Sequence, residues 1–196
     1  MKLKLTPRNM AQVASKARDV MRDGGLVVYP TDTIYGLGTD ARNRRAVEAV
    51  FAAKDRPRSK PLSMAVASLK RIQDFAVVDR DTEKILGAIF PGPFTAILRS
   101  SGAIPHLSYR GKIGIRIPDH LLVAKLTTSF PVTCTSANIS GTPEPRTPSE
   151  VNVKCSLLID GGPAREKRPS TVIDLSGRRP EVLRQGAGDA SFLFQA

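Results

Sequence analysis

The sequence has no tryptophan, two histidines and two cysteines, and aromatic residues make up only 5% of its 196 residues. Each scarcity excludes something. RNA-recognition sheets that stack bases on exposed rings need more aromatics than this chain carries. Zinc centres need Cys and His at short ligand spacings, and Cys134, Cys155, His106 and His120 each stand singly. Surface or helix-capping roles suit both histidines. Cys134 lies in an apolar stretch and reads as a small buried hydrophobe, and two unpaired thiols fit a reducing, cytoplasmic setting. No apolar run approaches the length that crosses a bilayer, and the N-terminus lacks the apolar core of a signal peptide, so no membrane partner is expected. The phosphate-loop pattern Gly-x-x-x-x-Gly-Lys-Ser/Thr and the dinucleotide fingerprint Gly-x-Gly-x-x-Gly are missing too. Ser136 lacks the flanking glycines of a nucleophile elbow, and no histidine can be assigned to it as a base. Acidic residues are also short: 18 against 30 Lys and Arg, a formal charge of +12 that points to anionic partners, nucleotide phosphates and RNA ahead of membrane.

What is present suffices for a core. Hydrophobic residues make up 41% and charged residues 24%, so the chain is expected to fold, as one domain spanning 1–196. Thr6-Pro7 reads as a helix start, with Thr as N-cap and Pro first in the helix. Apolar residues at Met10, Val13, Ala14, Ala17, Val20 and Met21 give that helix one buried face before Gly24-Gly25 ends it. Leu26–Tyr29 is an apolar strand stopped by Pro30, and Asp32–Gly38 follows as a loop at its C-terminal end, where α/β sheets bind ligands. A helix from about Asn43 to Lys54 comes next, then a strand at 62–66, a short helix capped by Ser68 and running to Phe75, and a helix over 79–90. Strands are expected at 95–98 and 113–118, with a helix capped by Asp119 through about Phe130. Val132–Thr135 is another strand, and Ser136–Gly141 a loop at its end. Short strands at 157–160, 171–175 and 181–184 complete a pattern that predicts an α/β fold on a twisted mixed sheet.

The chemistry such a chain supports is the binding of anions and polar ligands. Thr33, Ser136 and Ser170 offer hydroxyls, and Asn138 an amide that both donates and accepts. Lys54, Arg56, Lys60, Arg116, Arg146 and Arg184 offer cationic donors suited to phosphates and a carboxylate. Taken singly, each has a duller reading as a turn residue, a cap or a solvated charge. Their joint placement in loops after buried strands favours one pocket. Prolines 57 and 61 interrupt the charges after Lys54, so these side chains hang from a constrained loop rather than a solvated helix face.

Three features in order resemble a known family: Pro30-Thr31-Asp32-Thr33-Ile34-Tyr35-Gly36-Leu37-Gly38, then Lys54-x-Arg56-Pro57, then Ser136-x-Asn138 with Ser140-Gly141. With Gly114–His120, Ser170-Thr171-Val172 and Leu183-Arg184, the match to the YrdC/TsaC family of threonylcarbamoyl-AMP synthases extends over nearly the whole chain. The resemblance implies a single-domain YrdC-like fold, a twisted mixed parallel/antiparallel sheet flanked by helices, with a basic concave face. It implies an enzyme that joins L-threonine, bicarbonate or CO2, and ATP into threonylcarbamoyl-AMP and pyrophosphate, for threonylcarbamoyladenosine modification of tRNA. By position, Thr33, Arg116, Ser136 and Ser170 match residues that hold threonine. Lys54, Arg56, Lys60, Asn138, Arg146 and Arg184 match the ATP side, and Lys112 and Tyr35 are weaker matches. No catalytic side chain is assigned, because the substrates supply both nucleophiles; no protein metal site is expected, only Mg2+ arriving with ATP, with Asp32 the nearest acid.

The sequence departs from the family pattern in places. Ala65 stands where many relatives carry a histidine that contacts threonine, and Leu183-Arg184 runs into Gln185-Gly186 where relatives often have Pro-Gly. The C-terminal domain of longer relatives is absent from these 196 residues, so Thr142–Pro148 is expected to help close the site. A non-catalytic module for tRNA or double-stranded RNA is the alternative reading, favoured by charge but not by a Ser-x-Asn loop. A carbamoyl-adenylate module like that of hydrogenase maturation proteins is disfavoured by length. tRNA and a downstream threonylcarbamoyl transferase complex are the macromolecular partners the resemblance implies.

Overall fold

The computed structural model describes residues 1–166 and 168–194, Phe194 by its backbone alone. The chain opens with a strand the sequence did not announce, β1 (Lys2–Lys4). The first helix, α1 (Met10–Arg22), starts three residues later than Pro7 suggested. Thr6 and Asn9 exchange bonds instead: the Thr6 amide donates to Asn9 Oδ1 (2.8 Å) and the Asn9 amide to Thr6 Oγ1 (3.3 Å). This closed turn satisfies both groups locally, so no helix is needed to do so.

β2 (Val27–Tyr29) is buried throughout, as its sequence requires. The segment read as a loop after it folds back as β3 (Gly36–Gly38), antiparallel to β2 with Tyr29 opposite Gly36 and Val27 opposite Gly38. Its glycines serve a strand rather than a turn. A Cβ on Gly38 would lie 2.3 Å from the Thr133 carbonyl oxygen and 2.9 Å from the Tyr29 ring, so only a bare backbone fits between those strands.

α2 (Arg44–Ala53) is capped by Asn43, whose side chain accepts from the Ala46 amide, and buries Ala46, Val47, Val50 and Phe51. β4 (Ser63–Ala65) follows. The helix expected through Phe75 shrinks to one turn, α3 (Leu69–Ile72), and the chain continues as β5 (Ala76–Val77) against the end of β6 (Phe94–Ser100). Between them lies α4 (Arg80–Ile89), with Asp79 accepting from the Thr82 amide at 2.8 Å. After β7 (Lys112–Arg116), helix α5 (Leu121–Leu126) is shorter than expected, and its cap is His120, not Asp119. Asp119 is engaged elsewhere: its amide donates to Asp32 and its carboxylate takes Arg165 at 2.9 Å. His120 Nδ1 accepts from the Leu122 amide, which matches the capping role read from sequence.

β8 (Val132–Ser136), β9 (Leu157–Asp160), β10 (Thr171–Asp174) and β11 (Glu181–Arg184) complete a mixed sheet in the order β1-β9-β2-β3-β8-β4-β7-β6-β10-β11. Four pairs are parallel (β1/β9, β2/β9, β4/β7, β6/β10) and the other neighbours along this order antiparallel. The apolar stripe of α1 packs with α5 over β2, β8 and β9, joining Val13, Ala17 and Met21 to Leu122, Leu126 and Ile159. A larger core collects α2 and α4 with β6 and β7. No helix among the described residues is long and apolar enough to cross a membrane.

Candidate active site

A cavity of about 490 Å³ lies across six strands that are neighbours in the sheet. Its floor includes Gly36 of β3, Cys134–Ser136 of β8, Ser63 of β4, Gly114 and Arg116 of β7, Thr95 and Ile97 of β6, and Val172 of β10. Strand alternation places these residues, Thr135 excepted, on one face. The Lys54–Leu62 segment, the Ser136–Glu144 segment, Pro169-Ser170 and Arg184 supply the walls.

Arg116 is buried, and most of its donors are fixed. Nη2 donates to Asp32 Oδ1 (3.0 Å) and Thr33 Oγ1 (3.2 Å), and Nε to the Phe94 carbonyl (3.2 Å). The second Asp32 oxygen accepts the Asp119 amide at 3.2 Å. Asp32 thus anchors a guanidinium. Nη1 makes only a 4.0 Å contact with Cys134 Sγ, and is the part of Arg116 left for a ligand. Thr33 is fully buried beside Arg116, 3.1 Å from Thr31 Oγ1, and it is Thr31 that lines the cavity.

Lys54 is almost fully buried. Asp55, at φ +49°, takes the left-handed turn just past α2, a conformation in which Asp is enriched among non-glycine residues. The Lys54 ammonium donates to the carbonyls of Ser136 (2.5 Å) and Asn138 (2.6 Å), with Asn138 Oδ1 at 3.3 Å and Ser136 Oγ at 3.5 Å. Its own carbonyl accepts the Ser140 amide at 2.8 Å. The lysine clamps the Ser136–Asn138 loop from both its side chain and its backbone. Burial, and then the Arg56 charge, lower its pKa to about 8, with Glu144 opposing. Asn138 completes the clamp by donating to the Thr142 carbonyl at 2.6 Å.

Arg56 donates to the carbonyls of Lys60 (2.8 Å) and Pro61 (3.0 Å), curling the loop around its own guanidinium. Arg184 donates through Nε and Nη2 to the Ser170 carbonyl, at 3.1 and 2.8 Å. Burial lowers the pKa of both arginines; Arg184 adds to the lowering at Arg56, and at Arg184 Glu144 opposes it. Ser170 Oγ lies 2.8 Å from Thr95 Oγ1, so Ser170, Thr95 and Arg184 come as a unit. The Gln185-Gly186 turn that follows is tied down as well: Gln185 Nε2 donates to the Gly188 carbonyl (2.7 Å) and the Gly186 amide to Thr171 Oγ1 (2.9 Å).

Of the residues singled out from sequence, Lys54, Arg56, Lys60, Arg116, Ser136, Asn138, Ser170 and Arg184 line the cavity, and Thr33 stands just behind it. Arg146 does not line it. Its side chain is exposed, its amide donates to Glu150 and its carbonyl accepts from Ala164. Lys112 is paired with Asp174 at 2.7 Å, away from the cavity. Tyr35 does line it, but its hydroxyl is occupied between Gly162 and Gly161, and burial pushes its pKa up to about 12. Ala65 is fully buried among Tyr29, Cys134 and Val132 and does not line the cavity. Sequence reasoning missed Thr31, Ser63, Thr95 and Glu144. The first three left a signal, since each is a hydroxyl in or beside an apolar strand; Glu144 left none.

Among the described residues no group of three or more His, Cys, Asp or Glu side chains comes together to hold a metal. A magnesium ion entering with phosphates would find one carboxylate on the cavity wall, Glu144, which suits an ion that binds through one or two carboxylates plus substrate oxygens.

The Sua5/YciO/YrdC family model, described as telomere recombination, matches residues 19–186. A threonylcarbamoyl-AMP synthase of Pyrococcus abyssi is 36% identical over 179 residues, covering 87% of this chain and 53% of that protein. One from Vibrio vulnificus is 32% identical over 189 residues, covering 91% of this chain and 98% of its own length. Among solved structures, Sua5 of P. abyssi complexed with L-threonine superposes with a TM-score of 0.84 at 30% identity, over all of this chain and 59% of that one. The chain therefore spans about half of the archaeal relative and nearly all of the bacterial one.

Proposed function

The chain belongs to the Sua5/YciO/YrdC family, and from that premise we propose that it is a threonylcarbamoyl-AMP synthase. The observation that carries this reading is the presence of two kinds of cation in one cavity. Arg116 is neutralised and oriented by Asp32, whereas Arg56, Lys60 and Arg184 have no ion-pair partner among the described residues. The first kind suits a small zwitterion that needs a fixed direction; the second suits a triphosphate.

In this reading the carboxylate of L-threonine meets Arg116 Nη1, with Ser136, Ser170 and the Thr31/Thr33 pair shaping the space around it. Arg56, Lys60, Asn138 and Arg184 receive ATP, with Arg146 contributing only from outside the cavity. Lys54 acts on ATP through the Ser136–Asn138 loop it holds. The threonine amine and bicarbonate combine with loss of water to give a carbamate. A carbamate oxygen attacks the α-phosphorus, its bond to the bridging oxygen breaks, and pyrophosphate leaves. No side chain forms a covalent bond; placement and cationic stabilisation of the leaving phosphates do the work. Magnesium bound with ATP supplies further neutralisation of the phosphates.

The direct test is pyrophosphate release from ATP with threonine, bicarbonate and Mg2+ supplied together and omitted one at a time. Release that ignores the omission of threonine rules this assignment out. The product then serves tRNA modification in the cytoplasm, with tRNA and a transferase complex as partners. The +12 charge supports an RNA encounter, and tRNA affinity should then fall steeply with salt in a filter-binding series.

A further inference from the structure

Glu144 is the one carboxylate among the described residues that lines the cavity, and nothing in the reaction above uses it. Lys54, Arg56, Lys60, Arg116 and Arg184 line the same space. The nearby Asp32 is already committed to Arg116 and to the Asp119 amide. Glu144 has no such commitment: among the described residues its carboxylate makes no ion pair and no side-chain hydrogen bond. Its neighbours fix where it stands. Two residues earlier, the Thr142 carbonyl accepts from Asn138 Nδ2 at 2.6 Å. One residue later, buried Pro145 accepts the Tyr35 amide at 2.9 Å. An acid is thereby held between two pinned points against a cationic cavity, and its charge is felt at Lys54 and Arg184, whose pKa values it raises against the lowering by burial.

With Arg116 neutralised by Asp32, the four remaining cations alone would favour whichever anion carries most charge. We propose that Glu144 opposes that preference and, by offering an oxygen donor to the ion the phosphates carry, makes the cavity select magnesium-complexed triphosphate over the free anion. The inference rests on reading the cavity as a nucleotide site. Magnesium cancels two units of phosphate charge, so repulsion from a fixed carboxylate falls hardest on the uncomplexed nucleotide. An ion carried by the phosphates also gains from a nearby oxygen donor, and among the described residues no acidic cluster competes for it. Both effects act in the same direction.

The test is equilibrium binding of a non-hydrolysable ATP analogue, in excess Mg2+ and in EDTA, to wild type, Glu144→Gln and Glu144→Asp. Wild type should prefer the magnesium complex. In Glu144→Gln, affinity for the free analogue should rise about tenfold at low salt, while affinity for the magnesium complex stays level or falls, so the preference collapses. Glu144→Asp, which keeps the charge, should retain it. An unchanged ratio in Glu144→Gln overturns the proposal, as does its loss in Glu144→Asp. Wild type that binds neither form would overturn the nucleotide reading itself.

Discussion

Arg116 and Arg56 both line the cavity, but an acid holds one and carbonyl oxygens hold the other. Arg116 sits in the floor with Asp32 3.0 Å away, both side chains nearly closed to solvent. Arg56 hangs in the Lys54–Pro61 loop, tied to the Lys60 and Pro61 carbonyls with no ion pair of its own among the described residues. A carboxylate neutralises the charge it positions; a carbonyl positions it and leaves the charge available. The floor therefore gives up net charge for a fixed direction, and the loop keeps its positive potential for whatever anion arrives.

The most disruptive way to test this contrast is Asp32→Ala. It strands Arg116 in the floor and should cost about 3–5 kcal/mol of stability, read from chemical denaturation. A matched Asp32→Ala/Arg116→Met double variant should recover much of that loss; failure to recover would mean Asp32 acts through something other than the pair. Arg56→Ala should do the reverse. Turnover should drop by about two orders of magnitude or more, because a cation facing the departing phosphates is lost, while stability changes by about 1 kcal/mol or less. Equal losses of stability in Arg56→Ala and Asp32→Ala would erase the distinction between floor and loop.

Lys54 lies between these extremes, since it is buried like Arg116 yet has no acid. Burial depresses its pKa to about 8, so folding disfavours its charged form. Its contribution to stability should therefore rise with pH between about 8 and its ordinary value of 10.5, where the unfolded chain binds the proton more tightly. The clamp on Ser136 and Asn138 needs the ammonium, so kcat/KM should fall over the same range. A pH profile in which activity and this stability term move together would contradict the clamp. The smallest effect is expected at Arg146, exposed and outside the cavity, where Arg146→Ala should raise the KM for ATP by about threefold or less, as befits a solvent-screened charge.

The sequence reading located most helices and strands because their apolar periodicity reflects burial, which is a property of each segment alone. It read Gly36–Gly38 as part of a loop because a strand rich in glycine carries no apolar pattern; the approach of Tyr29 to both glycines, and of Thr133 to Gly38, explains them. It placed the cap of α5 at Asp119 because it could not see Asp32 and Arg165, far away in the chain, claiming that residue first. Most of the candidate site was legible, since a family signature marks Lys54, Arg56, Ser136 and Asn138. What those residues hold was not. Lys54 reads as a phosphate ligand in a list of charges, and it takes the folded loop to turn it toward two carbonyls. Glu144 was illegible for the same reason, as its meaning depends on the sign of every charge around it.

The cavity floor also has a history written into it. Its six neighbouring strands are drawn from residues 36 to 174, and their spatial order β3-β8-β4-β7-β6-β10 scarcely follows their order along the chain. A chain emerging from the ribosome meets the parts of the site out of their spatial order. β3 and β4 must wait with open edges until β8 arrives to join them, and β6 waits for β10 on its far side. Ser170 and Arg184 come last of all. Five of the six floor strands can join once β8 has emerged, but a chain that stops before residue 170 lacks β10, Ser170 and Arg184, and with them one wall of the cavity.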